Sequence, residues 1–224
     1  LYAEAGYKGM KMKVGLTVKE DIKNVQNVRE AIGPDIDLMI DSNHAYNFRE
    51  ALQLSKALEE LNIYWFEEPV SPEYYNHYAE LRKRTSIPIA GGECEFLRFG
   101  FQTLMQAEAV DIVQPDICAT GGLTEVKRIA SLATTYGVEL VPHTWGTGIA
   151  ISAAMHMVFN LDIMPGRLRM PGCYFEFDRT ENDLRDKLTI MDYIFENGEI
   201  TLPGKHGLCV EIDENELQKY LVKE

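Results

Sequence analysis

Residues 38–68, LMIDSNHAYNFREALQLSKALEELNIYWFEE, decide the fold class. Segments 38–42 and 64–68 are short apolar runs of the kind that form buried strands. Between them, residues 49–61 place apolar side chains at helical spacing and leave charged side chains for solvent. The apolar positions are Ala51, Leu52, Leu54, Leu58 and Leu61. A strand, an amphipathic helix and a second strand of these lengths predict a βαβ unit with parallel strands.

The same alternation repeats along most of the chain. Strands are predicted at 9–14, 38–42, 64–68, 87–91, 112–114, 140–143 and 174–178. Helices are predicted at 18–32, 49–61, 74–84, 124–136 and 149–159. Seven strands at this regular spacing favour a closed, TIM-like (β/α) barrel over a doubly wound open sheet. No GxGxxG follows any of these strands, which argues against dinucleotide binding.

Two segments with different patterns are predicted. Residues 1–178 carry the strand and helix alternation and are assigned to the α/β barrel. Residues 179–224 are charged and rich in turns, and are assigned to a C-terminal tail that ends in a short helix at 214–221.

Composition narrows the function classes. The chain has 224 residues, of which 46% are hydrophobic and 25% are charged, as in an ordinary globular protein. Its net charge of −13 argues against nucleic acid or an anionic membrane surface as a partner. The four cysteines are widely separated and form no CxxC, which favours a reducing, cytoplasmic compartment.

Polar residues recur where the predicted strands stop. They are Lys13, Asp41, Glu67, Glu93, Asp116, His143 and Glu176. Successive members lie 23 to 33 residues apart, by subtraction, which is about one βα unit. In a parallel barrel the carboxyl ends of the strands assemble the active site. A single carboxylate at such a place commonly caps a helix, but capping does not select this mixture of residue types.

Asp41, Glu67 and Glu93 come from three neighbouring predicted strands. Three carboxylates in one barrel mouth repel one another and need a cation to remain ionised together. An all-oxygen site suits Mg²⁺, and no cysteine and histidine spacing typical of zinc is present. Glu68 and Glu95 lie close by and remain alternatives, and strand alternation allows only one of Glu67 and Glu68 to be a ligand.

Candidate acid/base groups flank these carboxylates. Lys13 ends the first predicted strand, with Lys11 on the same face as the neighbouring charge that tunes it. On the other side, Asp116 would hold His143 in one tautomer, although Asp116 could instead brace a loop and His143 could cap a helix. Glu176 completes the ring and could donate a hydrogen bond in its protonated form.

Together these motifs resemble the enolase superfamily, and within it the mandelate racemase subgroup. The resemblance covers nearly the whole chain. The motifs are Lys11-Met-Lys13, Asp41-Ser-Asn43, Phe66-Glu67-Glu68-Pro69, Gly91-Gly92-Glu93, Gln114-Pro115-Asp116, His143-Thr-Trp145-Gly and Phe175-Glu176. The resemblance implies Mg²⁺ on Asp41, Glu67 and Glu93, with Lys13 and the His143–Asp116 pair as acid/base groups on opposite faces of the substrate. It implies that Lys11 contacts the substrate carboxylate and that Glu176 donates a hydrogen bond to it.

The implied reaction is removal of the proton α to a carboxylate through an enediolate. Polar Asn43 and His44 and the indole of Trp145, near the strand ends, suit a hydroxylated substrate, so dehydration of a sugar acid is expected. Alternatives are racemisation or epimerisation of a 2-hydroxy acid, and a non-catalytic barrel. Family members also carry an N-terminal capping domain and an earlier barrel strand, which this chain is expected to lack. The family's habit of association suggests a homo-oligomer.

Overall fold

The computed structural model of the chain describes residues 2–161, 173–191, 193–202, 204 and 206–222. Within these ranges, no helix is both long enough and apolar enough to cross a bilayer.

Six parallel strands form the main sheet and follow one another in chain order. They are β1 (Gly9–Lys13), β2 (Asp37–Asp41), β3 (Ile63–Glu67), β4 (Ile89–Gly91), β5 (Ile112–Val113) and β6 (Glu139–Leu140). The register pairs Lys13 with Asp41 and Asp41 with Glu67, so the last residues of the first three strands lie side by side. The predicted βαβ alternation is therefore confirmed for these strands.

Helices follow the strands and cover one face of the sheet. They are α1 (Val18–Ile32), α2 (Phe48–Leu58), α3 (Tyr75–Arg84), α4 (Leu97–Gln106), α5 (Gly122–Tyr136) and α6 (Gly148–Val158). The start of α2 is a capping box in which Asn47 and Glu50 bond each other's backbone N–H groups. Helix α4 was not predicted, although Phe101, Leu104 and Met105 lie at helical spacing and are buried together.

Strand alternation divides the core in two. Leu38, Ile40 and Phe66 belong to the large cluster shared with the helices. A smaller cluster lies on the opposite face. Its buried residues are Met39, Trp65, Ala90, Ile112 and Val141. The register pairs Met39 with Trp65, so these two side chains are neighbours on the second face. Strand alternation places Asp41 and Glu67, two residues further along, on the same face.

Two predicted strands need correction. Segment 140–143 was predicted as a strand, but β6 covers only Glu139–Leu140. Segment 174–178 was also predicted as a strand, yet no strand occurs in the described residues 173–179. Side chains hold the second segment instead: the Tyr174 ring lies 5.2 Å from that of Tyr64, and its hydroxyl donates to Asp37.

The tail contains short elements. They are α7 (Asp183–Lys187), β7 (Thr189–Met191), β8 (Ile194–Glu196), β9 (Glu199–Thr201), β10 (Val210–Ile212) and α8 (Glu214–Tyr220). Strands β7 and β10 pair antiparallel, as do β8 and β9. Ser152 of α6 donates its hydroxyl to the carbonyl of Leu208, which ties the tail to the last barrel helix. The predicted terminal helix is confirmed.

Asp21 fixes the loop that follows β1. Its buried carboxylate accepts the backbone N–H of Gly15 and Leu16 and, at 2.6 Å, the hydroxyl of Tyr46. Burial raises the pKa of Tyr46, and the bond to Asp21 raises it further, so the hydroxyl stays a donor.

Replacing Tyr46 with Phe removes a hydrogen bond to a buried charge. We expect the free energy of unfolding in urea to fall by about 1.5–3 kcal/mol. Tyr136→Phe, at an exposed position on α5, is the matched control and is expected to change that free energy by less than about 0.5 kcal/mol. Equal stability of the two variants would contradict this role for the Asp21 contact.

Candidate active site

The predicted site residues lie at one edge of the sheet. Lys13, Asp41 and Glu67 are the last residues of β1, β2 and β3. Glu93 lies two residues beyond β4, and Asp116 and His143 lie three residues beyond β5 and β6. A parallel sheet brings these carboxyl ends together, as the sequence predicted.

Lys11 is bound by carboxylates. Its Nζ lies 2.6 Å from both Glu67 Oε1 and Glu176 Oε1, and 3.5 Å from Asp41 Oδ2. Burial lowers the pKa of Lys11, but attraction by Glu67, Glu176 and Asp41 outweighs burial and raises the pKa overall. Lys11 is therefore a permanent ammonium that neutralises part of the site's negative charge.

Lys13 contacts the same carboxylate from the open side. Its Nζ donates to Asp41, and also to Asn43 Oδ1 at 2.6 Å. Its side chain is 63% exposed, against 16% for Lys11. The two lysines share a face of β1, and Lys13 is the more accessible of the two to a molecule from solvent.

Glu67 is fully buried, and two side chains that the sequence analysis missed hold it. Its Oε2 accepts a hydrogen bond from Trp65 Nε1 at 3.0 Å and another from Gln114 Nε2 at 2.9 Å. Burial raises the pKa of Glu67, Lys11 opposes this rise, and Asp41 adds to it. The sequence signals for the two donors were the spacing of Trp65 two residues before Glu67, on the same strand face, and the polar Gln114 beside Pro115-Asp116.

Glu68 points to different partners from Glu67. Its Oε2 lies 3.0 Å from His44 Nε2 and 3.4 Å from Asn43 Nδ2, and its backbone φ is 45°. Burial raises the pKa of Glu68 to about 8, together with repulsion from Glu93 and Asp41. Glu68 therefore stands next to the three predicted ligands, and its carboxylate adds to their mutual repulsion.

These oxygens fit a hard divalent cation. Glu93 Oε2 is buried and accepts no hydrogen bond from the described residues, and His143 Nε2 lies 3.3 Å from it. A buried carboxylate oxygen without a donor, among further buried carboxylates, is the donor set that Mg²⁺ prefers. Asp41, Glu67 and Glu93 are the residues that would hold Mg²⁺.

His143 and Asp116 form a pair at the other side of the carboxylates. His143 Nδ1 donates to Asp116 Oδ2 at 2.7 Å, while Asp116 Oδ1 accepts the backbone N–H of Cys118 at 2.7 Å. Burial raises the pKa of Asp116, but His143 and these N–H groups lower it overall, so Asp116 is ionised. Asp116 therefore braces its loop and orients His143 at the same time, which leaves Nε2 directed to Glu93.

The environment of His143 excludes the alternative that it caps a helix. Thr147 occupies the N-cap position of α6.

Burial lowers the pKa of His143, but Asp116, Glu176 and Glu93 outweigh burial and raise the pKa to about 9.

A cavity of about 850 Å³ opens onto these groups. Its lining includes Lys11, Lys13, Asn43, Glu93, His143, Trp145 and Glu176. Glu176 forms one wall, where its Oε2 accepts the backbone N–H of Thr144 at 3.0 Å. His44, predicted to contact substrate, contacts Glu68 and Cys94 and is not among the residues that line this cavity. Its contact with substrate stays a prediction.

Gln114 positions Glu67, so replacing it should weaken metal binding. We expect Gln114→Met to lower Mg²⁺ affinity by about 10–100-fold in calorimetry, because a ligating carboxylate depends on the donors that orient it. Gln106→Met, at an exposed position at the end of α4, is the control and should leave Mg²⁺ affinity unchanged. Equal affinities would show that Trp65 and Lys11 fix Glu67 without Gln114.

Comparisons with known proteins agree with this geometry. A model of the family described as "Enolase C-terminal domain-like" matches residues 1–216. D-galactarolactone cycloisomerase from Agrobacterium fabrum is 43% identical over 215 residues, which are 96% of this chain and 57% of that protein. Arabinonate dehydratase from Saccharolobus solfataricus is 34% identical over 223 residues, with 99% of this chain and 57% of that protein covered.

A solved structure agrees over nearly the whole chain. The crystal structure of 3,6-anhydro-D-galactonate cycloisomerase from Zobellia galactanivorans superposes with a TM-score of 0.93 and 55% sequence identity, covering 99% of this chain and 61% of that one. The chain thus spans somewhat more than half the length of these relatives. The TIM-like α/β class is confirmed, and the chain belongs to the enolase superfamily, as a C-terminal barrel domain of the mandelate racemase type.

Proposed function

We propose that this protein removes, with Mg²⁺, the proton α to the carboxylate of a sugar acid and then expels an oxygen from the β carbon. One observation carries the proposal. A row of carboxylates on β2 to β4 is flanked by Lys13 on one side and by the His143–Asp116 pair on the other. Two proton-transfer groups on opposite sides of a cation site are what α-proton removal followed by β-elimination requires.

The charges around the cavity suit a carboxylate substrate. Bound by Asp41, Glu67 and Glu93, Mg²⁺ would act as a Lewis acid that stabilises negative charge developing on the substrate carboxylate. Lys11 contributes a fixed positive charge beside Glu176, where the second carboxylate oxygen would lie. This charge is in place before reaction, so its reorganisation costs little at the transition state.

His143 is the group we assign to the α proton. In the neutral imidazole Asp116 accepts from Nδ1, so Nε2 is the nitrogen left to receive the proton, and the ionised Asp116 stabilises the imidazolium that results. Lys13, exposed to the cavity on the other side of Asp41, is placed to give a proton to the leaving oxygen. A general acid or base placed in this way contributes about 10²–10⁴-fold to the rate.

The identity of the leaving oxygen separates two candidate reactions. If the oxygen belongs to a ring of the substrate, breaking the C–O bond opens the ring, the oxygen is protonated, and the enol becomes a ketone in an isomer of the substrate. If the oxygen is a free hydroxyl, the same bond cleavage releases water. Similarity to two cycloisomerases, at 43% and 55% identity, favours the ring oxygen. Dehydration, predicted from the sequence, is the second candidate and is supported by the relative named arabinonate dehydratase.

Incubation in D₂O with Mg²⁺ distinguishes these reactions. Anhydro sugar acids, sugar-acid lactones and open-chain aldonic acids would be followed by NMR and mass spectrometry. Ring opening gives a 2-keto acid of unchanged elemental composition apart from deuterium, whereas dehydration gives a product that has lost one water. Deuteration at the α carbon with inversion and no elimination would support racemisation and overturn both candidates. Absence of turnover and of α-deuteration, with Mg²⁺ bound, would support a non-catalytic barrel.

A further inference from the structure

We propose that His44, Glu68 and Cys94 form a second cation site, which takes a borderline-soft divalent ion of the Zn²⁺ class. These three side chains bring one nitrogen, one oxygen and one sulfur atom within 4.8 Å of one another. The site uses none of the three residues assigned to Mg²⁺. Sequence spacing gave no sign of it, because the three residues come from three different strand ends.

The two separations that involve His44 match a tetrahedral metal site. His44 Nε2 lies 3.0 Å from Glu68 Oε2 and 3.5 Å from Cys94 Sγ. With Zn–N and Zn–O bonds of about 2.1 Å and a Zn–S bond of about 2.3 Å, tetrahedral geometry separates N from O by about 3.4 Å and N from S by about 3.6 Å. Both distances from His44 Nε2 are within about 0.4 Å of these values. Glu68 and Cys94 offer atoms within 4.8 Å of each other, so side-chain rotation that brings them to about 3.6 Å would complete the site.

The three residues of this second site lie close in sequence to the predicted magnesium ligands. His44 follows Asp41 by three residues, Glu68 directly follows Glu67, and Cys94 directly follows Glu93. The backbone N–H of His44 donates to the carbonyl of Glu68 at 2.9 Å, which fixes two of the three loops to each other. Cys94 is exposed, so an ion can enter from solvent, and three protein ligands leave a fourth position open.

The two proposed metal sites differ in the type of ligand atom. Asp41, Glu67 and Glu93 offer only oxygen, which suits Mg²⁺, whereas imidazole and thiolate ligands select ions such as Zn²⁺. A thiolate and a carboxylate would balance the charge of a divalent ion.

The competing interpretation is a purely hydrogen-bonded group. In that case His44 Nε2 donates to Glu68, and Asn43 Nδ2 donates to the same oxygen at 3.4 Å. His44 Nδ1 is buried and bonds to no described residue, so no partner orients the ring as in most metal-ligating histidines. We therefore expect binding weaker than that of a structural zinc site.

Cobalt is the probe that tests the sulfur ligand directly. The chain, with Mg²⁺ in excess, would be titrated with Co²⁺ under reducing conditions. We expect a thiolate-to-cobalt charge-transfer band that saturates at one equivalent and disappears when Zn²⁺ is added. Cys94→Ala should abolish the band. Cys118→Ala removes another exposed thiol and should retain it. Absence of the band, or its persistence in Cys94→Ala, would overturn the proposal.

A second variant tests another ligand while its folding is checked. A third variant distinguishes the two metal sites. His44→Gln should weaken Co²⁺ binding at least about tenfold, as expected for loss of a ligand, with an unchanged far-ultraviolet circular dichroism spectrum. Unchanged Co²⁺ affinity in a folded His44→Gln would also overturn the proposal. Glu67→Gln should lose Mg²⁺ binding and keep the cobalt band, so failure of the catalytic proposal leaves this result standing.

Discussion

Replacement of His143 by Asn is expected to lower kcat/KM by about 10²–10⁴-fold, the usual contribution of a general acid or base. Asn keeps a hydrogen bond to Asp116 within reach but cannot accept a proton. The imidazole is held by Asp116 at 2.7 Å through Nδ1, and its Nε2 lies 3.3 Å from Glu93, so the lost group is one that the structure orients towards the carboxylates.

Isotope exchange assigns the role of His143 within the reaction. If His143 removes the α proton, His143→Asn should lose both product formation and solvent exchange at the α carbon. If Lys13 removes it, exchange should persist while elimination slows. His206→Asn, at an exposed position in the tail, is the control and should retain full activity. A decrease of less than tenfold in His143→Asn would rule out His143 as either acid or base.

Replacement of Glu67 by Gln is expected to abolish the stabilisation that Mg²⁺ confers on the folded chain. At a Mg²⁺ concentration of about 100 times its Kd, binding adds about 2.7 kcal/mol to the free energy of unfolding. Removing a ligand should weaken affinity by more than about 100-fold, since the donors that orient a ligand are alone worth about 10–100-fold. Thermal unfolding with and without Mg²⁺ measures this effect without any substrate.

The side chain of Gln fits where Glu67 lies, because its amide oxygen can still accept from Trp65 and Gln114. The amide NH₂ would then replace Oε1 beside Lys11, so an unchanged unfolding temperature without Mg²⁺ is needed to show that a failure to bind Mg²⁺ reports the lost ligand rather than a lost fold. Glu73→Gln removes an exposed carboxylate and should keep the full Mg²⁺ effect. If Glu67→Gln kept that effect while Glu68→Gln lost it, Glu68 would be the ligand, which was the alternative left open by the sequence.

Much of the fold could be predicted from sequence, because hydrophobic periodicity is a local property. The unit from β2 to β3 shows this, since α2 buries Leu54 and Leu58 as its pattern predicts. The segment around Glu176 shows the limit. Residues 174–178 alternate like a strand, but contacts of Tyr174 with Tyr64 and Asp37 hold them, and such contacts depend on distant parts of the chain.

The candidate site likewise contains residues that the sequence predicted and contacts that it did not. Positions of Lys13, Asp41 and Glu67 followed from strand length and spacing, and the register confirms that they are neighbours. The donors to Glu67 were missed although the sequence carried a signal for each, and the direction of His44 could not be predicted because it depends on side-chain packing between strands. The roles assigned to all these residues remain predictions that the experiments above address.

The attachment of Glu176 has a consequence for how the cavity changes shape. Glu176 is joined to the sheet through Lys11, whose ammonium bridges it to Glu67, and through the backbone of Thr144. Within the described residues 173–179, no β ladder adds to these links. Lys11 therefore links the sheet to the segment that carries Glu176 through ion pairs. A substrate carboxylate that competes for this ammonium would weaken its ion pair with Glu176, so substrate binding and movement of this segment would be coupled.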